Sequence, residues 1–149
     1  MLQPNKILVI RFSSLGDLIL TSPIFRELRR IFPGANLNLL TSVGFGDVLD
    51  NNPHLDRIIK HPRKENFEQL NQLIEELQAE DFDLIYDAHR SIRSRWIVSR
   101  LTAFGMKRKP AVWKINKRTL NRKLLIHLGW NRLQLSLIHI SEPTRPTWI

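Results

Sequence analysis

The hydrophobic residues of this chain fall into short aliphatic runs that alternate with longer amphipathic segments. The short runs predict five strands, at 7–10, 36–41, 57–60, 82–87 and 106–113. The intervening segments carry apolar residues at helical spacing and predict helices over 17–32, 67–77, 92–104 and 117–128, with a loop and a short helix over 42–52. This alternation predicts a parallel, right-handed wound sheet with helices on both faces, which is a Rossmann-like α/β fold.

The first predicted strand ends at a small polar turn. Ile7 to Ile10 form an uninterrupted aliphatic run, which is typical of a strand buried on both faces of a parallel sheet. The turn that follows contains Ser13, Ser14, Gly16 and Asp17. Small molecules bind in the crevice outside the carboxyl ends of such strands, so these residues are the first candidates for a binding site.

Asp17 has two interpretations that the residues alone leave open. An acidic side chain at the start of a helix caps free backbone N–H groups and suits the positive end of the helix dipole. The same carboxylate, held over the mouth of a sheet, could act as a general base toward a sugar or alcohol hydroxyl. Ser13 and Ser14 either bind an acceptor sugar or satisfy the backbone of the turn. Gly16 favours a close approach of other atoms to the backbone.

A second set of candidates can carry positive charge. His89 and Arg90 follow the fourth predicted strand, so they lie at the same edge of the sheet as the first turn. Arg90 and Arg93 are three residues apart at a predicted helix start, where both can point at one anionic group. Arg63 and Lys64 follow the third strand and could close the same cleft. Alternatively, each of these cations is a solvent-exposed side chain.

The SSLGD turn lacks the motifs of several common sites. It has no GxGxxG dinucleotide fingerprint, no Gly-Lys-Ser/Thr of a phosphate-binding loop and no GxSxG nucleophile elbow. The five His residues show no metal-ligand spacing, and the absence of Cys excludes disulfides and thiolate metal sites. The sequence therefore indicates neither a hydrolytic Ser nor a bound metal or cofactor.

Length and hydropathy are those of a globular protein. With 149 residues, of which 42% are hydrophobic, the chain can form one domain with its own core. No apolar stretch approaches the roughly 20 residues that a membrane span needs, and the N-terminus lacks the pattern of a signal peptide. These features predict a cytoplasmic protein.

The net charge of +9 is unevenly distributed along the chain. Between Arg90 and Arg132 there are 13 Lys or Arg residues and no Asp or Glu. Such a block is either a solvated face or a surface for an anionic partner, such as phosphate, nucleic acid or an acidic lipid surface. No nucleic-acid-binding motif accompanies it. A basic nucleic-acid-binding module and a binding domain without catalysis nevertheless remain alternatives to an enzyme.

Three ordered motifs carry a resemblance to a known family. RFSSLGDLILTSP at 11–23, NNPHLDRII at 51–59 and FDLIYDAHRSIRS at 82–94 resemble the N-terminal half of the ADP-heptose:lipopolysaccharide heptosyltransferases, GT-B enzymes of glycosyltransferase family 9. The resemblance extends from about residue 6 to residue 132. It implies an inverting transfer of heptose from ADP-heptose to the lipopolysaccharide inner core, with Asp17 at the position of the proposed general base. The basic cleft would then hold the carboxylates and phosphates of the acceptor.

The resemblance also implies a domain organisation and partners. Residues 1–134 would form the acceptor-binding domain, whereas the domain that mainly binds the nucleotide sugar would be absent and the chain alone inactive. Residues 135–149 are expected to be non-native, because LSLIHISEPTR resembles the translation of a sequencing adapter; alternatively they form an ordinary tail. The implied partners are a lipid A acceptor with Kdo and the ADP-heptose donor. A peripheral contact at the cytoplasmic face of the inner membrane is also implied, but no nucleic acid, metal or cofactor.

Overall fold

The structure of the chain is a computed structural model. The structure describes residues 3–64, 66–103 and 109–114, which all lie in one compact unit that ends at Ile115. The predicted basic helix over 117–128 and the predicted non-native tail over 135–149 lie outside the described residues, as does the beginning of the predicted fifth strand at 106–108.

The described residues form five strands and four α-helices that alternate along the chain. In order they are β1 (Lys6–Ile10), α1 (Leu15–Ile19), α2 (Ser22–Ile31), β2 (Asn36–Ser42), a 3-10 helix (Gly46–Leu49), β3 (Arg57–His61), α3 (Phe67–Ala79), β4 (Leu84–Asp87), α4 (Ile92–Ala103) and β5 (Ala111–Lys114). The segment 17–32, predicted to be helical, contains the end of α1 and all of α2. α2 starts at Ser22 with Pro23 in its first turn, where proline is tolerated.

All five strands are parallel and form one sheet with the order β3-β2-β1-β4-β5. β1 is the central strand. The chain first winds outward to β2 and β3, then returns to the other side of β1 for β4 and β5. The Rossmann-like parallel sheet predicted from the alternating pattern is therefore confirmed.

The two faces of the sheet are covered by different helices. Leu8 and Ile10 of β1 pack into the cluster that contains residues of α3 and α4. Ile7 and Val9 point to the opposite face, into the cluster that contains residues of α1 and α2. Because successive side chains of a strand alternate between faces, the continuous aliphatic run of β1 supplies both cores.

The apolar faces of α3 and α4 are not completely covered. Leu73, Ile74 and other apolar residues of these helices are buried against the sheet, as their spacing predicts. Phe67, Ile92 and Trp96, which follow the same helical spacing, are exposed over 66%, 88% and 44% of their surface. Core packing therefore does not account for the whole of the Trp96 side chain. In the described part of the chain, no helix is long and apolar enough to cross a membrane.

Candidate functional site

The candidate site lies where the winding of the sheet changes direction. β1 pairs with β2 on one side and with β4 on the other, so the connections leaving these strands diverge and open a crevice. Arg11 follows β1 and Ala88 follows β4. The Arg11 guanidinium donates a hydrogen bond to the Ala88 carbonyl, which ties the two strand ends together at the base of the crevice.

An ion pair between Arg11 and Asp17 dominates the electrostatics of the crevice. Arg11 Nη2 lies 2.6 Å from Asp17 Oδ2. The Arg11 side chain is only 9% exposed, whereas that of Asp17 is 51% exposed. The buried guanidinium thus contacts Oδ2 of the carboxylate, and the rest of the carboxylate faces the solvent of the crevice.

The backbone of the turn also contacts Asp17. The Ser14 N–H lies 3.3 Å from Asp17 Oδ2, so Asp17 does serve as a capping side chain at the start of α1. This backbone hydrogen bond, together with the charge and hydrogen bond of Arg11, holds the pKa of Asp17 below its usual value of 3.8. Asp17 is therefore ionised at neutral pH, which is the state that a proton acceptor requires.

Ser13 and His89 meet across the same crevice. Ser13 Oγ lies 3.3 Å from His89 Nε2, and the His89 ring packs at 5.9 Å from the ring centroid of Phe12. Both side chains are half-buried. The structure therefore brings the turn after β1 and the turn after β4 into direct contact. Ser14 and Gly16 are exposed at the mouth of this site, and a Cβ added at Gly16 would meet no atom within 4 Å.

A buried carboxylate supports the loop that carries His89 and Arg90. Asp87 Oδ1 accepts the backbone N–H groups of His89 at 3.1 Å and Arg90 at 2.8 Å, while Asp87 Oδ2 accepts the Ser94 hydroxyl at 3.2 Å. Arg90 has a φ of 51°, in the left-handed region that non-glycine residues seldom adopt. The three N–H and O–H donors around Asp87 thus fix an unusual turn at the edge of the site.

The expected helical spacing of Arg90 and Arg93 is not found. α4 begins at Ile92, so Arg90 precedes the helix, and its left-handed backbone removes the three-residue periodicity on which the expectation rested. Arg93 lies in the first turn. Its guanidinium stacks 4.0 Å from the Phe12 ring centroid, and its Nη2 donates to the Pro62 carbonyl at 3.0 Å.

Arg63 and Lys64 belong to a groove beside the crevice. This α3–α4 groove has a volume of about 710 Å³ and is lined by Arg63, Lys64, Asn66, Phe67, Leu70, Ile92, Arg93 and Trp96. Arg93 connects the groove to the crevice, because its side chain lines the groove while it covers the ring of Phe12. The predicted cations therefore form two neighbouring groups, with Arg93 at the boundary.

Two important residues of the site were not among the sequence candidates. Arg11 stands directly before the polar turn, and a charged residue immediately after a fully apolar strand is a signal that could have identified it. Asp87 is the last residue of β4 and is 1% exposed. Its position at a strand end could have suggested a site residue, but its role in holding the next turn depends on the fold of that turn.

The arrangement offers a carboxylate base and cations but no evident metal site. Among residues 3–64, 66–103 and 109–114, no group of three or more His, Asp or Glu side chains could hold a metal ion. What the crevice can do is accept a proton at Asp17 and bind a polar or anionic molecule through His89 and nearby cations.

The strand order and the position of the site define a class of protein. An open parallel sheet with central β1, helices on both faces and its crevice between β1 and β4 is a Rossmann-like domain of the kind found in GT-B glycosyltransferases.

Sequence comparison shows which known proteins the chain is similar to. The chain is 25% identical over 141 residues to lipopolysaccharide heptosyltransferase 1 of Pseudomonas aeruginosa, covering 87% of this chain and 40% of that protein. It is 28% identical over 111 residues to lipopolysaccharide heptosyltransferase 1 of Escherichia coli, covering 68% of this chain and 34% of that protein. No protein-family model matches the chain.

Solved structures share the fold of the chain. A glycosyltransferase family 9 protein from Veillonella parvula has a TM-score of 0.62 and 25% identity, and the match covers 65% of this chain and 29% of that one. Escherichia coli heptosyltransferase WaaC, solved with ADP, shares the fold with a TM-score of 0.57 and 24% identity over 73% of this chain and 34% of that one. The chain is therefore similar to lipopolysaccharide heptosyltransferases in sequence and to a glycosyltransferase family 9 protein in fold. It spans 34 to 40% of the length of its curated relatives.

Proposed function

We propose that the described domain is the acceptor-binding part of a heptosyltransferase that transfers heptose from ADP-heptose to the lipopolysaccharide inner core. The observation that carries the proposal is the half-exposed carboxylate of Asp17, held on the buried Arg11 guanidinium at the crevice of the sheet. Similarity to lipopolysaccharide heptosyltransferases supports the choice of reaction.

In the proposed reaction, Asp17 is the general base. It takes the proton from an acceptor hydroxyl as that oxygen bonds to the anomeric carbon of the heptose, and the bond from that carbon to the ADP phosphate breaks. Attack from the side opposite the leaving ADP inverts the anomeric centre. Arg11 keeps the carboxylate ionised and oriented before the acceptor arrives. The donor is proposed to bind mainly to a domain other than the described one.

The remaining site residues are proposed to bind the acceptor. Ser13 and His89 offer hydrogen-bonding groups on the walls of the crevice, and Ser14 and Gly16 border its mouth. Four cations, Arg63, Lys64, Arg90 and Arg93, would contact acceptor carboxylates and phosphates, since charge-assisted hydrogen bonds to such groups are stronger than neutral ones. The proposed acceptor is lipid A with Kdo, reached from the cytoplasmic face of the inner membrane.

The proposal is tested in a chimera that joins residues 1–115 to the complementary part of Escherichia coli lipopolysaccharide heptosyltransferase 1. ADP release from ADP-heptose is measured with and without a lipid A–Kdo acceptor. We expect release that depends on the acceptor. A chimera that folds and binds ADP, but releases it from the sugar donor at the same rate without acceptor, would contradict the proposed function.

The acceptor-binding role of the cations has a separate test on the 149-residue chain. Replacing both Arg90 and Arg93 with Ala should weaken acceptor binding by roughly tenfold or more for each lost charge-assisted contact. The control replaces Arg26 and Lys109, two exposed cations away from the crevice, with Ala. Calorimetric titration with the acceptor measures the change, and equal affinities of the site and control variants would remove these residues from the acceptor site.

A further inference from the structure

The α3–α4 groove exposes more apolar surface than the fold requires. Phe67 and Ile92 are the first residues of α3 and α4, and Trp96 lies one turn further along α4. They are exposed over 66%, 88% and 44% of their surface, and Leu70 lies half-buried between them and the core. Large apolar side chains that cluster on a surface mark a place where something other than water is bound.

The groove also carries positive charge. Arg63 and Lys64 are exposed on the loop between β3 and α3, and Arg93 reaches the groove from α4. Among the described residues that line the groove there is no carboxylate; the other polar side chain is that of Asn66. The surface therefore combines an apolar centre with a cationic rim.

This combination matches the interface of an anionic lipid bilayer. Trp and Phe rings and aliphatic side chains enter the boundary between headgroups and acyl chains, while Lys and Arg contact lipid phosphates above them. A protein interface can also have an apolar centre and a polar rim, so the distinguishing feature here is the single sign of the rim charge: Arg63, Lys64 and Arg93 are all cationic, and no described lining residue is a carboxylate. Charge and hydropathy together thus favour a lipid surface as the occupant.

We propose that the α3–α4 groove docks the domain on an anionic membrane by inserting Phe67, Ile92 and Trp96 at the headgroup boundary. The groove adjoins the crevice through Arg93, whose guanidinium stacks on Phe12, the residue before Ser13. Docking on this face places the Asp17 crevice beside the headgroup layer. The inference rests on the proposed function only in taking the acceptor to be a lipid whose sugars stand in that layer.

The apolar part is tested by vesicle flotation with the 149-residue chain. The groove variant carries Phe67→Ser and Ile92→Ser. The control variant carries Ile31→Ser and Val48→Ser, which remove two apolar side chains that are exposed over 50% and 53% of their surface elsewhere in the domain. On vesicles of phosphatidylglycerol and phosphatidylethanolamine, the groove variant should bind at least about tenfold more weakly than the wild type, because each buried methylene favours the lipid phase. The control variant should bind like the wild type.

The cationic rim has an independent test that leaves the apolar residues in place. Arg63→Gln with Lys64→Gln should weaken binding to these anionic vesicles by about fivefold for each lost cation. Its control, Arg26→Gln with Lys109→Gln, removes the same charge from exposed positions outside the groove. Because all four residues are exposed, circular dichroism should show the same fold in both variants.

Three results would overturn the docking proposal. In the first, the wild-type chain fails to bind anionic vesicles. In the second, the groove variants bind as tightly as the wild type. In the third, the control variants lose as much binding as the groove variants. The last result would mean that total charge or hydropathy controls binding. The proposed transfer reaction is tested separately, with the chimera and a soluble acceptor that has no acyl chains. In that assay, the double variant Phe67→Ser with Ile92→Ser should have the same turnover as the unaltered chimera.

Discussion

At the scale of single residues, the capping role and the proposed catalytic role of Asp17 are compatible. The carboxylate accepts the Ser14 N–H at the start of α1 and pairs with Arg11, yet about half of the side chain remains exposed to the crevice. In an ordinary helix cap, a carboxylate at the protein surface accepts a backbone N–H and has no further role. Here the cap instead anchors one side of a carboxylate whose other side faces the candidate acceptor site.

The pKa of Asp17 should depend on Arg11. In Arg11→Gln the positive charge is lost while a polar side chain is kept, so the pKa of Asp17 should rise toward 3.8, with the Ser14 N–H still lowering it. Carboxyl-carbon NMR titration measures the change. The matched control is Arg29→Gln, whose partner is Asp56, 2.5 Å away; it should raise the pKa of Asp56 and leave that of Asp17 unchanged. An Asp17 pKa that is insensitive to Arg11 would contradict the described ion pair.

The sequence identified the residues that line the crevice better than the residues that fix their positions. Asp17, Ser13 and His89 were candidates because each follows a predicted strand, and parallel strands end at one edge. Arg11 and Asp87 act through specific partners, the Asp17 carboxylate and the backbone of the turn after β4. Such partners depend on the path of the turns, which periodicity does not describe.

At the scale of secondary-structure elements, a capping box determines where α3 begins. The Asn66 side chain accepts the Gln69 N–H at 2.8 Å, and the Gln69 side chain accepts the Asn66 N–H at 3.1 Å. Asn66→Ala should lower the free energy of unfolding by about 1 kcal/mol. Gln72→Ala, at an exposed position within α3, should change it by less than about 0.5 kcal/mol. Urea unfolding measures both, and equal values would show that the cap contributes nothing.

Two phenylalanines allow a buried and an exposed apolar position of the helices to be compared by the same substitution. Phe25 of α2 is fully buried, so Phe25→Ala should lower the free energy of unfolding by about 3 to 5 kcal/mol. Phe67→Ala makes the same chemical change at a position that is largely exposed and should cost less than about 0.5 kcal/mol. Thermal and urea unfolding test the pair. A large loss of stability in Phe67→Ala would mean that Phe67 packs in the core.

Helical periodicity predicted the faces of the helices but not how far the sheet covers them. Leu73 and Ile74 of α3 lie where their spacing placed them. Phe67 and Ile92 share the apolar spacing of their helices but occupy the first helical position, where the helix face is uncovered. The spacing of apolar residues along the sequence does not show where the sheet and the neighbouring helix end, so it could not predict the exposed groove.

At the scale of the whole domain, three carboxylates with lowered pKa values link stability to pH. The pKa of Glu80 is held below its usual 4.5 by Lys6 and then by Arg57, and the pKa values of Asp17 and Asp56 are below 3.8. A carboxylate with a lowered folded pKa stabilises the fold at pH values above its unfolded pKa, and this stabilisation is lost as the pH falls through the folded pKa. The free energy of unfolding should therefore be nearly constant between about pH 5 and pH 8 and fall below about pH 4.

The contribution of Glu80 to the pH dependence of stability can be measured separately by substitution. Glu80 joins Lys6 of β1 and Arg57 of β3, at 2.6 and 2.7 Å, to the end of α3. Because these side chains are partly exposed, the whole contribution should be below about 1 kcal/mol. Glu80→Gln should lower stability at pH 7 and reduce the loss between pH 5 and pH 3, as measured by urea unfolding. Identical pH profiles for variant and wild type would contradict this assignment.

The overall topology was the most predictable feature of the molecule. Alternating strand and helix patterns require parallel strands joined by crossovers, and short turns keep the strand ends at one edge of the sheet. The strand order places the turns after β1 and β4 beside each other, which is why Ser13 and His89 meet. The position of Arg63 and Lys64 in a separate groove depends on how α3 and α4 pack, and the sequence pattern did not determine it.

The central claim is that Asp17 accepts a proton in the transfer step, and its most direct test compares Asp17→Asn with the unaltered chimera. The Asn side chain keeps the size of Asp17 but has no charge. We predict a turnover number lower by on the order of a hundredfold or more, with acceptor and donor affinities nearly unchanged. The control is Asp50→Asn, which alters a carboxylate outside the crevice that is paired with Lys60; its turnover should match that of the unaltered chimera. Near-normal turnover in Asp17→Asn would contradict the account and leave Asp17 with a capping role alone.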